Sequence, residues 1–158
     1  MPSPLASRHF ISDMADKKIL IVIGIIVLLV IIALIVRSQK PSGQSQSIAI
    51  GSNHYTVEIA DTLFSQAKGL SGRGSLESGH GMLFVFSSSS MQAFWMKDMQ
   101  FPLDFIWINN GQVIGVTENV PASPPTAMYR PPTPVDRVLE VPAGTVARDG
   151  IKVGDMVL

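Results

Sequence analysis

The chain predicts a β-rich α+β fold: a single small antiparallel barrel-like domain with one or two short helices, preceded by one transmembrane helix. Three observations carry that prediction. Ile19–Val36 is an unbroken apolar run of eighteen residues. After residue 47 the hydrophobic period becomes two, the period of strands. Turn signals such as Gly51-Ser52-Asn53 and Asn109-Asn110-Gly111 then separate short apolar segments.

The run Ile19–Val36 contains no charge, hydroxyl, amide or proline. As a helix rising about 1.5 Å per residue it would reach roughly 27 Å, near the thickness of a bilayer's hydrocarbon core. A buried core helix would keep a polar stripe, and this run has none. A cleavable signal peptide has a shorter apolar region and a small-residue cleavage site, whereas here Arg37-Ser38-Gln39-Lys40-Pro41 follows. The segment reads as an uncleaved anchor, with the lipid bilayer as its partner. Arg8, Lys17 and Lys18 precede it and Arg37 and Lys40 follow, so the 1–18 tail is expected in the cytoplasm and the remainder outside.

Residues 37–47, including Pro41-Ser42-Gly43-Gln44-Ser45-Gln46-Ser47, read as a flexible linker. Residues 48–158 are enough for one core without metal or disulfide. Residues 1–40 carry five Lys and Arg against two acids, while residues 41–158 carry seven against ten. A domain of net charge minus three gives no electrostatic case for nucleic acid. The chain has no cysteine, which excludes disulfides, thiol catalysis and thiolate metal sites.

Within the domain, Ile48, Ile50, Tyr55, Val57 and Ile59 alternate about Gly51-Ser52-Asn53 and predict a hairpin. Asp61 is placed to cap a short helix with Leu63, Ala67 and Leu70 on one face, ended by Gly69 and the glycine-rich 71–81 stretch. Strands are expected at Met82–Phe86, Phe94–Met96, Leu103–Ile108, Val113–Val120, Val138–Val141 and Met156–Leu158. Ala122–Pro134 holds five prolines and reads as a surface loop.

Charge interrupts three apolar segments. Alternation sets Asp104 beside Ile106 and Ile108, Glu140 beside Val138, and Lys97 on the side of Trp95. A buried carboxylate without a partner costs several kcal/mol or becomes neutral. Partners are therefore expected, with Lys97 and Arg73 the nearest candidates by type. The alternative is that these acids stand in water at strand ends or form a structural ion pair.

At these residues the chain resembles a known family. The blocks GLSGRGSLESGHGMLFVF, FWMKDMQFPLDFIWINNGQVIGV, VLEVPAG and GIKVGD, in order between Tyr55 and Leu158, resemble the signatures of the domain of unknown function family numbered 192. The resemblance implies a compact β-rich domain with no assigned reaction, many members being exported or anchored. Arg73, Lys97, Asp104, Glu140 and Asp155 fall on its motif positions. Two positions depart from the pattern: Asp98 stands where Asn is usual, and Met128 precedes Tyr129 where many members carry cysteine.

Other chemistry is thin. His54 and His80 lack metal-ligand spacing, and no cofactor motif is present. The glycines around Gly72 lack a following Gly-Lys-Ser/Thr, and Ser87–Ser90 lack a nucleophile elbow. Phe94, Trp95, Phe105 and Trp107 read as core or as an aromatic platform for a glycan. Two functional readings remain. One is an anchored extracytoplasmic binding or accessory module, recognising a small polar ligand, glycan or envelope partner through Arg73, Lys97, Asp104, Glu140 and Asp155. The other is a hydrolase using Asp104 and Glu140 as an acid and base pair. Two carboxyls opening into one cleft would favour the second.

Overall fold

The computed structural model describes residues 20–31, 45–124 and 127–158. The tail 1–18, both ends of the apolar run (Ile19 and Val36 included) and linker residues 37–44 lie outside the described residues, as do Pro125 and Thr126. The chain divides into two units, Met1–Ser42 and Gly43–Leu158. In the first, residues 20–31 form helix α1. At 1.5 Å per residue these twelve residues reach about 18 Å, against the roughly 30 Å of a hydrocarbon core. No helix among the described residues is long and apolar enough to cross a membrane.

The second unit is a β-rich α+β domain. Its strands are β1 (Ser45–Ile50), β2 (Asn53–Ala60), β3 (His80–Ser90), β4 (Phe94–Trp95), β5 (Leu103–Asn109), β6 (Gln112–Val120), β7 (Met128–Tyr129) and β8 (Val135–Pro142), with helices α2 (Leu63–Lys68) and α3 (Thr145–Asp149). Six strands form one sheet in the order β1-β2-β3-β8-β5-β6, and β4 pairs with β7 apart from it. The hairpins form where the turn residues require. Asn110 (φ 51°) and Gly111 (φ 72°) supply the two left-handed residues of the tight β5–β6 turn.

Two features differ from the expected antiparallel barrel. First, β2 and β3 run parallel, Thr56 opposite His80 through Ala60 opposite Phe84, so the sheet is mixed. A parallel pair needs a crossover, and α2 with the glycine-rich 69–79 stretch supplies it. Second, the sheet is not closed into a barrel. Its outer strands do not pair with each other; the last residues of the domain lie between them. Ala49 exchanges both backbone bonds with Leu158 at 2.8 and 2.9 Å, while Val157 donates to Gly111 at 2.8 Å and Val113 to Asp155 at 2.9 Å.

The sheet is covered on both faces. One core holds Tyr55, Val57, Ile106, Ile108, Leu139 and Val141 with Val146 of α3 and Val157. The other holds Met82, Phe84, Leu103, Phe105, Trp107 and Val138 with Met96 and Leu70. Burial on both faces explains why Leu103–Ile108 is almost continuously apolar rather than alternating with polar residues. The helix cap is Thr62 rather than Asp61: its side chain accepts from the Ser65 amide and Ser65 Oγ accepts from the Thr62 amide. Leu63 points outward, 88% exposed, and Leu70 alone of the expected apolar face is buried. Among its described residues the proline-rich segment contains one short piece of regular structure, β7, which pairs Tyr129 with Phe94 and Met128 with Trp95.

Candidate functional site

Register decides where the two acidic strand residues go. Residues directly opposite in an antiparallel pair share a face. Phe105 lies opposite Glu140 and Asp104 opposite Val141. Glu140 therefore joins the face of Met82, Phe84 and Phe105, and Asp104 the face of Val141 and Ile106. The two carboxyls are on opposite sides of the sheet, so the acid and base pair is not formed.

Asp104 is fully buried, yet it needs no cation. Its Oδ1 accepts from the Asn119 amide at 2.7 Å and its Oδ2 from the Val146 amide at 2.9 Å. Asn119 (φ 52°) lies in a bulge where β6 has one extra residue, Glu118 and Asn119 together standing opposite Asp104, which turns that amide inward. Val146 is in the first turn of α3, whose early amides have no partner within the helix. Asp104 thus fastens β5 to the bulge and to α3.

The expected cations are engaged elsewhere or exposed. Arg73 forms a two-bond fork with Glu58 of β2, Nη1 to Oε1 at 2.5 Å and Nη2 to Oε2 at 2.6 Å. This bond holds the Glu58 carboxyl below its ordinary range, the guanidinium charge adding to it. Lys97 is exposed and makes no ion pair among the described residues. Its carbonyl accepts from Ser71 Oγ at 2.9 Å, and next to it the Asp98 carbonyl accepts from the Gly72 amide at 2.9 Å. Asp98 is left-handed (φ 58°), a conformation that Asn and Asp both tolerate, so the departure at this position preserves the turn. Asp155 accepts from the Lys152 amide at 2.9 Å, the main cause of its lowered pKa, and its carbonyl receives Val113. Of the five residues singled out by sequence, Glu140 lines a cleft beside α2, and the other four do not line that cleft.

That cleft has a volume of about 200 Å³. Its walls are the end of α2 and the following turn (Gln66–Ser71), Phe84 and Phe86 of β3, the Gln92–Trp95 segment, and Met99. Gln66 fixes the helix over the sheet, its Nε2 donating to the Val85 carbonyl at 2.8 Å and the Ala60 carbonyl at 3.3 Å. Gly69 then turns away at φ 50°, passing so near Phe84 that a Cβ there would lie 3.3 Å from the ring. The Ser71 and Gly72 bonds tie this turn to residues 97–98, which lie in sequence between the lining residues Trp95 and Met99. Phe94 stands edge-on to Phe84 with centroids 4.9 Å apart, and contacts Phe86, Phe105 and Trp107 at 6.5, 5.7 and 5.7 Å. Trp95 lies on the cleft and is 53% exposed.

Glu140 is 5% exposed. Among the described residues no hydrogen bond and no ion pair reaches its carboxyl. Burial alone raises its pKa to about 8, with no cation offsetting it. Among the described residues no group of three or more His, Cys, Asp and Glu is placed to hold a metal. The aromatic platform read from sequence divides: Phe105 and Trp107 are core, while Phe94 and Trp95 face the cleft. Phe84, Phe86 and Gln66 escaped sequence reading because the parallel β2–β3 crossover that brings α2 onto them has no local signal. The available signal was the shared alternation of Phe84 and Phe86 along β3.

No curated protein matches the chain. Solved structures resemble it, two of them as follows. A candidate transcription regulator from Sinorhizobium meliloti 1021 is 32% identical with a TM-score of 0.71, over 75% of this chain and 96% of that one. A protein of unknown function from Novosphingobium aromaticivorans DSM 12444 is 31% identical with a TM-score of 0.69, over 75% and 89%. The family model described as uncharacterised ACR matches residues 46–158, and by that match the chain belongs to the DUF192 family.

Proposed function

We propose that this protein is a membrane-anchored, extracytoplasmic binding module whose ligand site is the cleft closed at its base by Glu140. The unpartnered Glu140 carboxyl carries this reading. Its oxygens are not among the fully enclosed unpartnered atoms, which are Asn109 Oδ1 and Asp136 Oδ1, so the carboxyl offers the cleft an acceptor that no protein group among the described residues occupies. A cleft that sets aromatic rings beside a few polar groups, here Gln66, Lys68, Ser71, Gln92 and Glu140, is a common form of a small-molecule site. The separation of Asp104 from Glu140 removes the arrangement that a two-carboxyl hydrolase needs, so binding is the reading retained. The acidic balance of residues 41–158 gives no support for carrying a nucleic-acid role over from the Sinorhizobium protein.

The anchor is supported by the apolar run and by α1. All twelve of its described residues are exposed, and a helix apolar all round needs lipid or protein around it. Protease added to spheroplasts should digest the domain and spare an N-terminal tag; protection of the domain would reverse the orientation. The cleft is tested by saturation-transfer NMR on the full chain in lipid nanodiscs with a panel of small ring compounds. Binding that is lost in Trp95→Ala is expected. No hits, or hits indifferent to Trp95, would remove the cleft as the site.

A further inference from the structure

We propose that the cleft selects a small organic cation, a protonated amine on a ring or short apolar body, with its charge against Glu140 and its body against Phe84, Phe86, Phe94 and Trp95. The inference rests on the cleft being a ligand site and adds the chemical class of the ligand.

Three observations converge. Glu140 is a group ordinarily anionic, 5% exposed, lining the cleft and without a partner among the described residues. Four aromatic rings line the same space, and ring faces attract cations as they do not attract anions. The volume also fits: an apolar cavity of about 150 Å³ holds benzene, so about 200 Å³ leaves room for one ring and an aminomethyl group. An anion would meet Glu140 as a like charge or force it to stay protonated. A neutral sugar could meet Gln92 and Lys68 at the rim but would gain nothing from the charge of Glu140, so the amine and alcohol probes separate the two classes.

The charged groups around Glu140 are few. From α2, Lys68 reaches the exposed rim of the cleft. From β3 the facing residues are Met82, Phe84 and Phe86, and from β5 Phe105, none of them titratable. On the 92–99 wall Lys97 and Asp98 are exposed and do not line the space. Burial is the sole cause of the shift in Glu140, so Lys68 does not neutralise it. At neutral pH the carboxyl holds its proton. Entry of a protonated amine makes the anion favourable, the ion pair forms, and the carboxyl proton passes to the buffer. Amine affinity therefore rises about tenfold per pH unit below the pKa of Glu140, for as long as the amine itself stays protonated.

The test compares three isosteric probes, benzylamine, benzyl alcohol and benzoate, by calorimetry on the full chain in nanodiscs, with empty nanodiscs subtracting partition into lipid. Benzylamine should bind at least tenfold tighter than either analogue, and should release close to one proton at pH 7 when buffers of different ionisation heat are compared. Glu140→Gln, which keeps shape, should weaken benzylamine at least tenfold and change benzyl alcohol by much less. If the alcohol or benzoate binds as tightly as the amine, the cation class is overturned while the cleft stands. Silence from all three also overturns the cation class, and the wider compound panel then decides the cleft by itself. Equal amine affinity in Glu140→Gln would overturn the role of the carboxyl.

Discussion

The two acids set into apolar strands meet opposite fates for a reason visible in their neighbours. Asp104 is short, and two backbone amides freed by a bulge and a helix start lie within its reach. Glu140 extends a methylene further, into a space walled by rings. Asp104→Asn replaces one acceptor oxygen with an amide group facing an N–H, so it should cost about 1–3 kcal/mol. Lys97→Met, at an exposed site without an ion pair among the described residues, should stay within about 0.5 kcal/mol. Urea unfolding of both variants checks the contrast. Equal costs would mean that Asp104 is not held as described. The sequence exposes the anomaly of each acid through strand alternation, but the partner of Asp104 is backbone, which side-chain inventory cannot reveal.

Among the elements, those defined by local signals were legible: the β1–β2 and β5–β6 hairpins, the strands about Met82, Leu103, Val113 and Val138, and the short helix after Asp61. What was not legible depends on pairings far apart in sequence. The parallel β2–β3 pair was one; another was the capture of the last residues between β1 and β6. That second device makes a sharp prediction. Val157→Asp places a charge at a buried position of the clasp, and amide exchange at Ala49, Val113 and Val157 should accelerate together while amides of the central β3–β8 pair keep their protection. Acceleration at one edge only would show that the clasp does not join the two. The Arg73–Glu58 fork is a similar long-range fastening, holding the crossover to β2 with both partners about 30% exposed. Arg73→Met should cost about 1–2 kcal/mol, between an exposed pair and a buried charged hydrogen bond. An unchanged urea midpoint would make the fork ornamental.

For the domain as a whole, the charge states combine into a pH dependence with an unusual sign. Glu58, Asp149 and Asp155 have lowered pKa values, so the stability they contribute is present above their ordinary carboxylate range and is lost as pH falls through the folded values. Glu140 acts in reverse. Its pKa is about 8 folded and 4.5 as an ordinary carboxyl. Between those values the unfolded chain has released the proton and the folded chain retains it, so the unfolded state binds fewer protons and stability falls as pH rises. The slope for one such group is about 1.4 kcal/mol per pH unit, levelling off near the folded pKa. Among the groups with shifted pKa, Glu140 alone changes the balance between pH 5 and pH 8, since the others titrate below that window or above it. Stability of the domain should therefore be highest near pH 5, where the paired carboxylates are already ionised and the loss from Glu140, which begins as the unfolded chain releases its proton, is still small. Glu140→Gln removes the slope and should gain on the native chain progressively from pH 5 to pH 8. Urea unfolding at unit steps of pH, on both proteins, measures the difference. Parallel curves would mean that the carboxyl is solvated or paired in solution, and the cation site would lose the buried acid on which it is built.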